Sequence, residues 1–157
     1  MGELEQIKDR EAIRMLTVWY SRGVDTKDWS LYRSIFLERV HIDFGEFARV
    51  GEWSADEWVE FIRRSVHGFD STQHLNGNHE ITLDGDRASG THYVLAEHYM
   101  RPAGGAMPGA DDFVTFGGYY RCEYRKTEED GWKVASIVLT PWFLRGNPEL
   151  FARARLE

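Results

Sequence analysis

The sequence has few of the features that mark secreted or membrane-spanning proteins. A single cysteine, Cys122, excludes an intrachain disulfide and is typical of a reducing compartment. The longest charge-free stretch of apolar character, residues 134–144, is too short to cross a bilayer. The N-terminal decapeptide is charged where a signal peptide needs an apolar core. We therefore expect a cytoplasmic protein that does not bind membranes.

Basic residues are scarce relative to acidic ones. The 19 Lys and Arg against 26 Asp and Glu give a formal net charge of −7. This charge repels phosphate backbones, so no nucleic-acid partner is expected. The six histidines include no His-x-x-x-His pair, Cys122 has no cysteine partner, and no glycine-rich phosphate loop is present. The sequence therefore predicts neither a metal site nor a bound cofactor.

The chain is long enough for one core and rich in aromatic side chains. Its 157 residues predict a single domain over 1–157. Six Trp, seven Tyr and nine Phe exceed what a core of this size needs. We expect the surplus to line a ligand cavity or an oligomer interface.

Hydrophobic periodicity changes from helical to strand-like about halfway along the chain. The predicted helices cover 3–24, 29–36 and 54–66, the last opening with a Ser-x-x-Glu capping box. The predicted strands cover 40–44, 72–83, 87–100, 112–126 and 132–144. Helices followed by long antiparallel strands indicate an α+β fold in which a strongly bent sheet covers the helices.

The first helix carries a candidate catalytic carboxylate near its end. Its apolar stripe consists of Ala12, Ile13, Leu16, Trp19, Tyr20 and Gly23. On an ideal helix, Asp25 lies opposite Leu16 and faces solvent. A helix that ends at Gly23 would instead let the chain turn and carry Asp25 inward. The spacing alone leaves both possibilities open.

Two histidines on the predicted strands are candidate partners. His74 shares one strand face with Thr72 and Asn76. An Asp–His contact raises the basicity of an imidazole and fixes its tautomer, as a general base requires. His98 shares a mostly apolar face with Val94, and is either a core residue or a polar group in an apolar pocket.

Four short segments together resemble the SnoaL-like branch of the nuclear transport factor 2 superfamily. They are 18–29, 41–44 (HIDF), 72–74 (TQH) and 131–133 (GWK). Within that branch the chain resembles scytalone dehydratase and bile-acid dehydratase. The resemblance implies a cone-shaped α+β barrel, in which three N-terminal helices pack in a strongly curved, mainly antiparallel sheet around one apolar pocket.

The resemblance also implies roles for individual residues. Asp25 and His74 match the Asp–His pair of these enzymes. His98 matches a second pocket histidine of scytalone dehydratase, and Tyr20 matches a tyrosine of bile-acid dehydratase. The resemblance thereby supplies the inward orientation of Asp25 that periodicity leaves open. The expected catalytic residues are Tyr20, Asp25, His74 and His98.

The expected substrate-binding positions differ from those of scytalone dehydratase. Val24 and Phe44 stand where that enzyme has two tyrosines that hold a water, and its pocket serine and asparagine fall near Gly118 and Tyr120. Scytalone itself is therefore not the expected substrate. Together with strand parity, the resemblance predicts substrate contacts with Trp19, Val24, Phe44, Val94, Gly118, Tyr120 and Trp142.

These roles predict a cofactor-independent lyase, most simply a dehydratase that performs a β-elimination on a cyclic or aromatic small molecule. The same base would serve a carbon–carbon lyase that releases formaldehyde from a lignin-derived diaryl diol, or an isomerase. A non-catalytic module that binds a small molecule is the alternative from a different class. Members of this superfamily commonly pack sheet against sheet, so a homodimer or homotrimer is expected.

Overall fold

A computed structural model describes residues 2–102, 104–107 and 109–156, and within them four α-helices and six strands form. The helices are α1 (Glu3–Asp25), α2 (Trp29–Ser34), α3 (Ala55–Ser65) and α4 (Glu149–Ala154), and a 3₁₀ turn covers Gly45–Phe47. The strands are β1 (Phe36–Asp43), β2 (Gly51–Ser54), β3 (Ser71–Asp84), β4 (Arg87–Tyr99), β5 (Phe113–Thr127) and β6 (Gly131–Gly146). The predicted loop 102–110 includes residues 103 and 108, which lie outside the described residues.

All six strands form one sheet in the order β2-β1-β6-β5-β4-β3. Neighbouring strands are antiparallel except β1 and β6, which run parallel. The predicted α+β cone, with helices packed on a curled sheet, is confirmed. The edge strands β2 and β3 do not pair with each other, so in the described residues the sheet stays open instead of closing into a full barrel.

The main elements begin and end close to where the sequence predicts them. The capping box is present, because Glu57 N–H donates to the Ser54 hydroxyl at 3.2 Å and Ser54 N–H donates to Glu57 Oε2 at 2.9 Å. The elements β2 and α4 were not predicted, since four and six residues are too few to show a period. No helix in the described residues is long and apolar enough to cross a membrane.

α1 buries a face that is rotated from the predicted apolar stripe. Leu16 and Tyr20 are buried as expected, but Trp19 is 39% exposed and Ala12 also faces solvent. The rotation brings polar residues inward, because α1 packs along β3 as well as over the hydrophobic core. These inward polar residues are Asp9, Thr17 and Ser21.

β3 changes the face that its side chains present partway along its length. The pairing with β4 shifts between Gly77 and Glu80, and Asn78 adopts the left-handed conformation with φ of 52°. Before this bulge His74 and Asn76 point towards α1, and after it His79 does so. A bulge adds one residue to a strand and thereby re-aims the side chains that follow.

Candidate active site

Between the helices and the inner face of the sheet lies a cavity of about 300 Å³. Its walls are mostly apolar and aromatic, as is usual for a site that binds a small organic molecule. The lining residues are Tyr20, Val24, Phe44, Glu46, Phe47, Phe61, Ile62, Ser65, Val66, His74, Ala96, His98, Phe116, Tyr120, Leu139, Phe151, Ala152 and Arg155.

Asp25 and His74 meet at the wall of this cavity. His74 Nδ1 lies 2.7 Å from Asp25 Oδ1, and His74 backbone N–H donates to Oδ2 at 2.9 Å. Thr72 Oγ1 also donates to Oδ1, at 2.8 Å. The His74 side chain is 8% exposed and that of Asp25 is 20% exposed. Three donors therefore hold one carboxylate in a place that is largely screened from water.

The protonation of this pair follows from its hydrogen bonds. Partial burial acts to raise the pKa of the Asp25 carboxyl, but the hydrogen bonds from His74 and Thr72 outweigh it and hold that pKa below its ordinary value. Since an ionised carboxylate only accepts hydrogen bonds, Nδ1 of His74 carries the proton. In the neutral imidazole Nε2 is then the acceptor, and His74 lines the cavity.

The end of α1 places Asp25 by a different route from the one predicted at Gly23. The helix continues through Gly23 to Asp25 and ends because Lys27 adopts a left-handed conformation with φ of 56°. Lys27 Nζ then donates to the backbone carbonyl of Phe69 at 3.0 Å. Gly23 is needed for packing, since a Cβ there would lie 2.8 Å from Tyr32 Cβ.

Asp25 belongs to a row of polar side chains on α1 that faces β3. Thr17, Ser21 and Asp25 are spaced four residues apart, and each contacts a polar side chain of β3. Thr17 Oγ1 lies 2.9 Å from His79 Nε2, and Asn76 Nδ2 donates to Ser21 Oγ. We call these contacts, with the Asp25–His74 pair, the polar seam. The face that periodicity assigns to solvent is thus an interface between helix and strand.

His98 lies beside His74 in the most apolar part of the cavity. The two ring centroids are 5.5 Å apart, and His98 also packs against Phe69 and Phe151. Burial, reinforced by the nearby His74 ring, lowers the pKa of His98 to about 3. His98 Nδ1 has no hydrogen-bond partner among the described residues. His98 is therefore a neutral imidazole at physiological pH.

Tyr20 completes the group of polar side chains around His74. Its ring centroid is 6.4 Å from that of His74 and 5.7 Å from that of Tyr120. Burial raises the pKa of Tyr20 well above its ordinary value, and the neighbouring Tyr32 raises it further. The phenol of Tyr20 therefore stays protonated at neutral pH.

A second imidazole pair lies farther along the polar seam. The rings of His79 and His92 stack with centroids 5.2 Å apart and planes inclined by 10°. Burial, followed by the proximity of His79, lowers the pKa of His92 to about 3. His92 also packs against Tyr120, whose ring lines the cavity. Neither histidine of this pair lines the cavity itself.

Trp142 does not line the cavity, and that prediction needs correction. β5 and β6 change register at this point, because Gly117 pairs with Phe143 whereas Gly118 pairs with Pro141. Trp142 is the extra residue of the resulting bulge and points to the outer face of the sheet, where it is 55% exposed. There it packs against Tyr93 and Tyr119.

Three other predicted wall residues also lie outside the cavity. Trp19 points away from it because of the rotation of α1. Val94 and Gly118 are cross-strand partners and are both buried. A Cβ at Gly118 would clash with the backbone oxygen of Thr140 and lie 3.1 Å from Cζ of Phe116, so no side chain fits at this position. Phe116 supplies the wall in their place.

The other predicted positions do meet at one cavity. Tyr20, His74 and His98 line it, with Asp25 behind His74. The predicted substrate contacts that share this lining are Val24, Phe44 and Tyr120. Within the described residues, no group of three or more His, Cys, Asp or Glu side chains has the arrangement of a metal site.

Sequence reasoning missed several wall residues. Phe116 shares strand parity with Tyr120, so the same argument could have included it. Phe151 and Arg155 come from α4 and the segment after it, where the sequence shows no recognisable period. Leu139 lies on β6, near the bulge that upset the predicted register.

The chain belongs to the SnoaL-like domain family, whose family model matches residues 5–138. The crystal structure of Kfla4162 from Kribbella flavida is 29% identical in sequence, covers 94% of this chain and 99% of its own, and superposes with a TM-score of 0.80. A Novosphingobium aromaticivorans protein, provisionally named an aromatic ring hydroxylase, is 27% identical, covers 92% and 97% of the two chains, and gives a TM-score of 0.76.

A second N. aromaticivorans structure is provisionally named a scytalone dehydratase. It is 19% identical, covers 91% of this chain and 94% of its own, and gives a TM-score of 0.74. At that identity the likeness shows the fold alone. These neighbours share the cone-shaped fold of this chain, and a shared fold does not by itself establish a shared function.

Proposed function

We propose that this chain is a cofactor-independent lyase that eliminates water from a cyclic or aromatic small molecule, with His74 as the general base and Asp25 as its orienting partner. The observation that carries this proposal is the 2.7 Å contact between His74 Nδ1 and Asp25 Oδ1 beside an apolar cavity. The SnoaL-like family and its dehydratase-named neighbour support a lyase at a coarse level.

The proposed reaction is a β-elimination in which protons balance within the site. His74 Nε2 accepts a proton from an acidic C–H bond, and the electron pair of that bond forms the new C=C bond. The C–O bond at the neighbouring carbon breaks, and the departing hydroxide takes up a proton to leave as water. The imidazolium formed in the first step can return that proton, and the Asp25 carboxylate stabilises it meanwhile.

Tyr20 and His98 are proposed to donate hydrogen bonds to oxygen atoms of the reacting molecule. The pKa of Tyr20 is raised by burial, so its phenol is a poor acid at neutral pH. Burial likewise keeps His98 neutral. Neutral donors in an apolar cavity stabilise a developing oxyanion without transferring a proton. The two residues are therefore assigned to an enolate or to the leaving oxygen.

The cavity walls support an aromatic or polycyclic substrate. Phe44, Phe116 and Tyr120 contribute aromatic rings to the cavity wall. A volume of about 300 Å³ is at the small end of the range for sites that enclose a drug-sized molecule. We expect one or two fused rings to fill it.

A cytoplasmic location stays a prediction from the single cysteine.

The proposal is tested by product analysis with a panel of mono- and bicyclic aromatic diols and β-hydroxy ketones. A dehydratase releases water and a conjugated alkene, whereas a carbon–carbon lyase releases formaldehyde and an isomerase changes no mass. His74→Gln should abolish turnover, and His67→Gln, at an exposed histidine away from the cavity, should not. Tight binding by the wild-type protein without turnover of any compound would instead support a binding module.

Self-association as a homodimer or homotrimer is also part of the proposal. The outer face of the sheet exposes a group of neighbouring apolar side chains at Leu75, Tyr93, Trp142 and Phe143. Contiguous exposed apolar surface of this kind is typical of protein interfaces. Sedimentation velocity of the wild-type protein and of Trp142→Ser should show a mass that falls towards the monomer in the variant.

A further inference from the structure

The mouth of the cavity is built partly by a segment beyond the family match. That match ends at residue 138, whereas α4 starts at Glu149. Phe151, Ala152 and Arg155 nevertheless line the cavity. The segment after residue 148 therefore contributes to the cavity wall although it lies outside the matched residues.

The segment is docked firmly enough to serve as a fixed wall. Gly68 N–H donates to the carbonyl of Ala154 at 2.8 Å, and Leu156 N–H donates to the carbonyl of Arg64 at 3.0 Å. A Cβ at Gly68 would lie 2.8 Å from Ala154 Cα, so only glycine allows this approach. Leu150 and Ala154 are the buried residues of α4 and anchor it against the rest of the chain.

Arg155 is the cationic side chain of the described cavity lining. Its guanidinium lies over the ring of Phe61, 5.3 Å from the ring centroid. Such a contact orients the guanidinium without neutralising its charge. No carboxylate of the described residues lies within 4.0 Å of Arg155 in an ion pair. The guanidinium therefore keeps hydrogen-bond donors available at the mouth.

We propose that Arg155 is a specificity-determining residue that selects substrates bearing one carboxylate remote from the reacting bond. This proposal rests on the proposed function, which puts the reacting bond of the substrate beside His74. The planar guanidinium matches the two oxygens of a carboxylate. One guanidinium balances one negative charge, and Glu46, which also lines the cavity, disfavours a second. A monocarboxylate thus fits better than a phosphate.

The negative net charge of the chain means that a carboxylate is favoured only where a specific cation binds it. A chain with a formal net charge of −7 repels anions at long range. Only a specific cation can then make a carboxylate preferable to a neutral group of the same shape. Binding of such a compound should weaken as salt concentration rises, since the site at the mouth is exposed.

The test measures binding by titration calorimetry, with three probes that share one ring system: 3-(2-naphthyl)propanoate, its carboxamide, and 3-(2-naphthyl)propylammonium. At low salt the wild-type protein should bind the carboxylate about fivefold more tightly than the carboxamide, the value of about 1 kcal/mol for an exposed ion pair. Arg155→Gln should remove that preference, because it weakens binding of the carboxylate more than binding of the carboxamide. Arg155→Lys should keep part of it.

Arg153→Gln is the matched control, because Arg153 is exposed on α4 and does not line the cavity. It should retain the full preference. The proposal is overturned if the wild-type protein shows no preference for the carboxylate, if Arg155→Gln retains it, or if the ammonium probe binds best. None of the probes is turned over, so this result is independent of whether the lyase proposal holds.

Discussion

α1 carries an inward-facing carboxylate near each of its ends, and the two meet different partners. Asp9 accepts hydrogen bonds from Lys126 Nζ at 2.8 Å and from Trp132 Nε1 at 2.9 Å. Asp25 accepts hydrogen bonds from Thr72 and His74. At both ends burial acts to raise the carboxyl pKa, and the hydrogen bonds outweigh it, so both pKa values are lowered.

The two ends of α1 differ in whether the carboxylate's partner has a second atom that can accept a proton. An ammonium group and an indole N–H are donors only, so Lys126 and Trp132 can do no more than hold Asp9 in place. The imidazole of His74 donates through Nδ1 and keeps Nε2 as an acceptor. A lowered carboxyl pKa is therefore no sign of catalysis by itself. The proposed chemistry depends on a partner with a second functional atom and on the cavity beside it.

The largest expected effect is on turnover at the Asp25 end. Asp25→Asn should lower kcat about a hundredfold or more, because the amide no longer fixes the tautomer of His74 or stabilises its imidazolium. His74→Ala should do the same. The double variant should be little worse than either single variant, since the two groups act as one unit.

Steady-state kinetics of these three variants on the substrate found by the screen provide the measurement. Binding of a non-reacting substrate analogue, measured in parallel, separates lost chemistry from lost affinity. If the double variant showed the product of the two single effects, the residues would act independently and the dyad would be disproved. Near-full activity in His74→Ala would move the base to His98.

The equivalent change at the other end should affect stability instead. Asp9→Asn should lower the free energy of unfolding by about 2 kcal/mol, because it weakens the charge-assisted hydrogen bonds that Lys126 and the buried Trp132 donate. The value stays modest because the Lys126 side chain is 37% exposed and can return to water. Urea unfolding measures the loss, and kcat at 25 °C should not change. If Asp9→Asn lowered kcat and left stability unchanged, Asp9 would not be the structural carboxylate that this comparison requires.

The pH dependence of stability should report the buried imidazoles before it reports either carboxylate. His92 and His98 have pKa values lowered to about 3, against about 6.5 in the unfolded chain. Between these values the unfolded state binds more protons, so stability falls as pH falls through this window. At pH 5 each of the two histidines should lower the free energy of unfolding by about 2 kcal/mol. The contributions of Asp9 and Asp25 fade only below about pH 4, because their pKa values are lowered.

The measurement is urea unfolding of the wild-type protein and of His92→Gln at pH 7 and pH 5. The glutamine carries no titratable group, so the variant should lose less stability on acidification by about 2 kcal/mol. His67→Gln, at an exposed position, should lose as much stability between pH 7 and pH 5 as the wild-type protein. An identical pH response in all three proteins would show that His92 is protonated in the folded state as readily as in the unfolded chain.

The sequence was a good guide to elements that extend over several periods. The capping box at Ser54 and the alternation along β3, β4 and β5 placed α3 and the strands to within a few residues of their observed ends. Local propensity and burial agree in these segments, so the pattern and the structure coincide. The Asp25–His74 contact was expected only from a family resemblance, since helix periodicity left the orientation of Asp25 open.

What the sequence did not reveal depends on single residues that shift the backbone. One extra residue in β6 turned Trp142 to the outer face of the sheet. Another in β3 turned His79 inward. A one-residue slip exchanges the two faces of a strand, and no hydrophobic count detects it. The left-handed Lys27 that ends α1 is equally local, because lysine carries no preference for that conformation.

The smallest effect is expected when one hydrogen-bond donor is removed from each carboxylate, Asp25 and Asp9. The two removals should affect different properties of the protein. Thr72→Val keeps the shape of the side chain but deletes the hydroxyl that donates to Asp25 Oδ1 at 2.8 Å. Thr72 does not line the cavity, so kcat should fall about fivefold, or about 1 kcal/mol, while KM stays the same. Thr72→Ser should restore kcat. Trp132→Phe removes the donor to Asp9 and should leave kcat unchanged while lowering the free energy of unfolding. A change in KM for Thr72→Val, or no rescue by serine, would mean that Thr72 shapes the cavity and does not position the carboxylate.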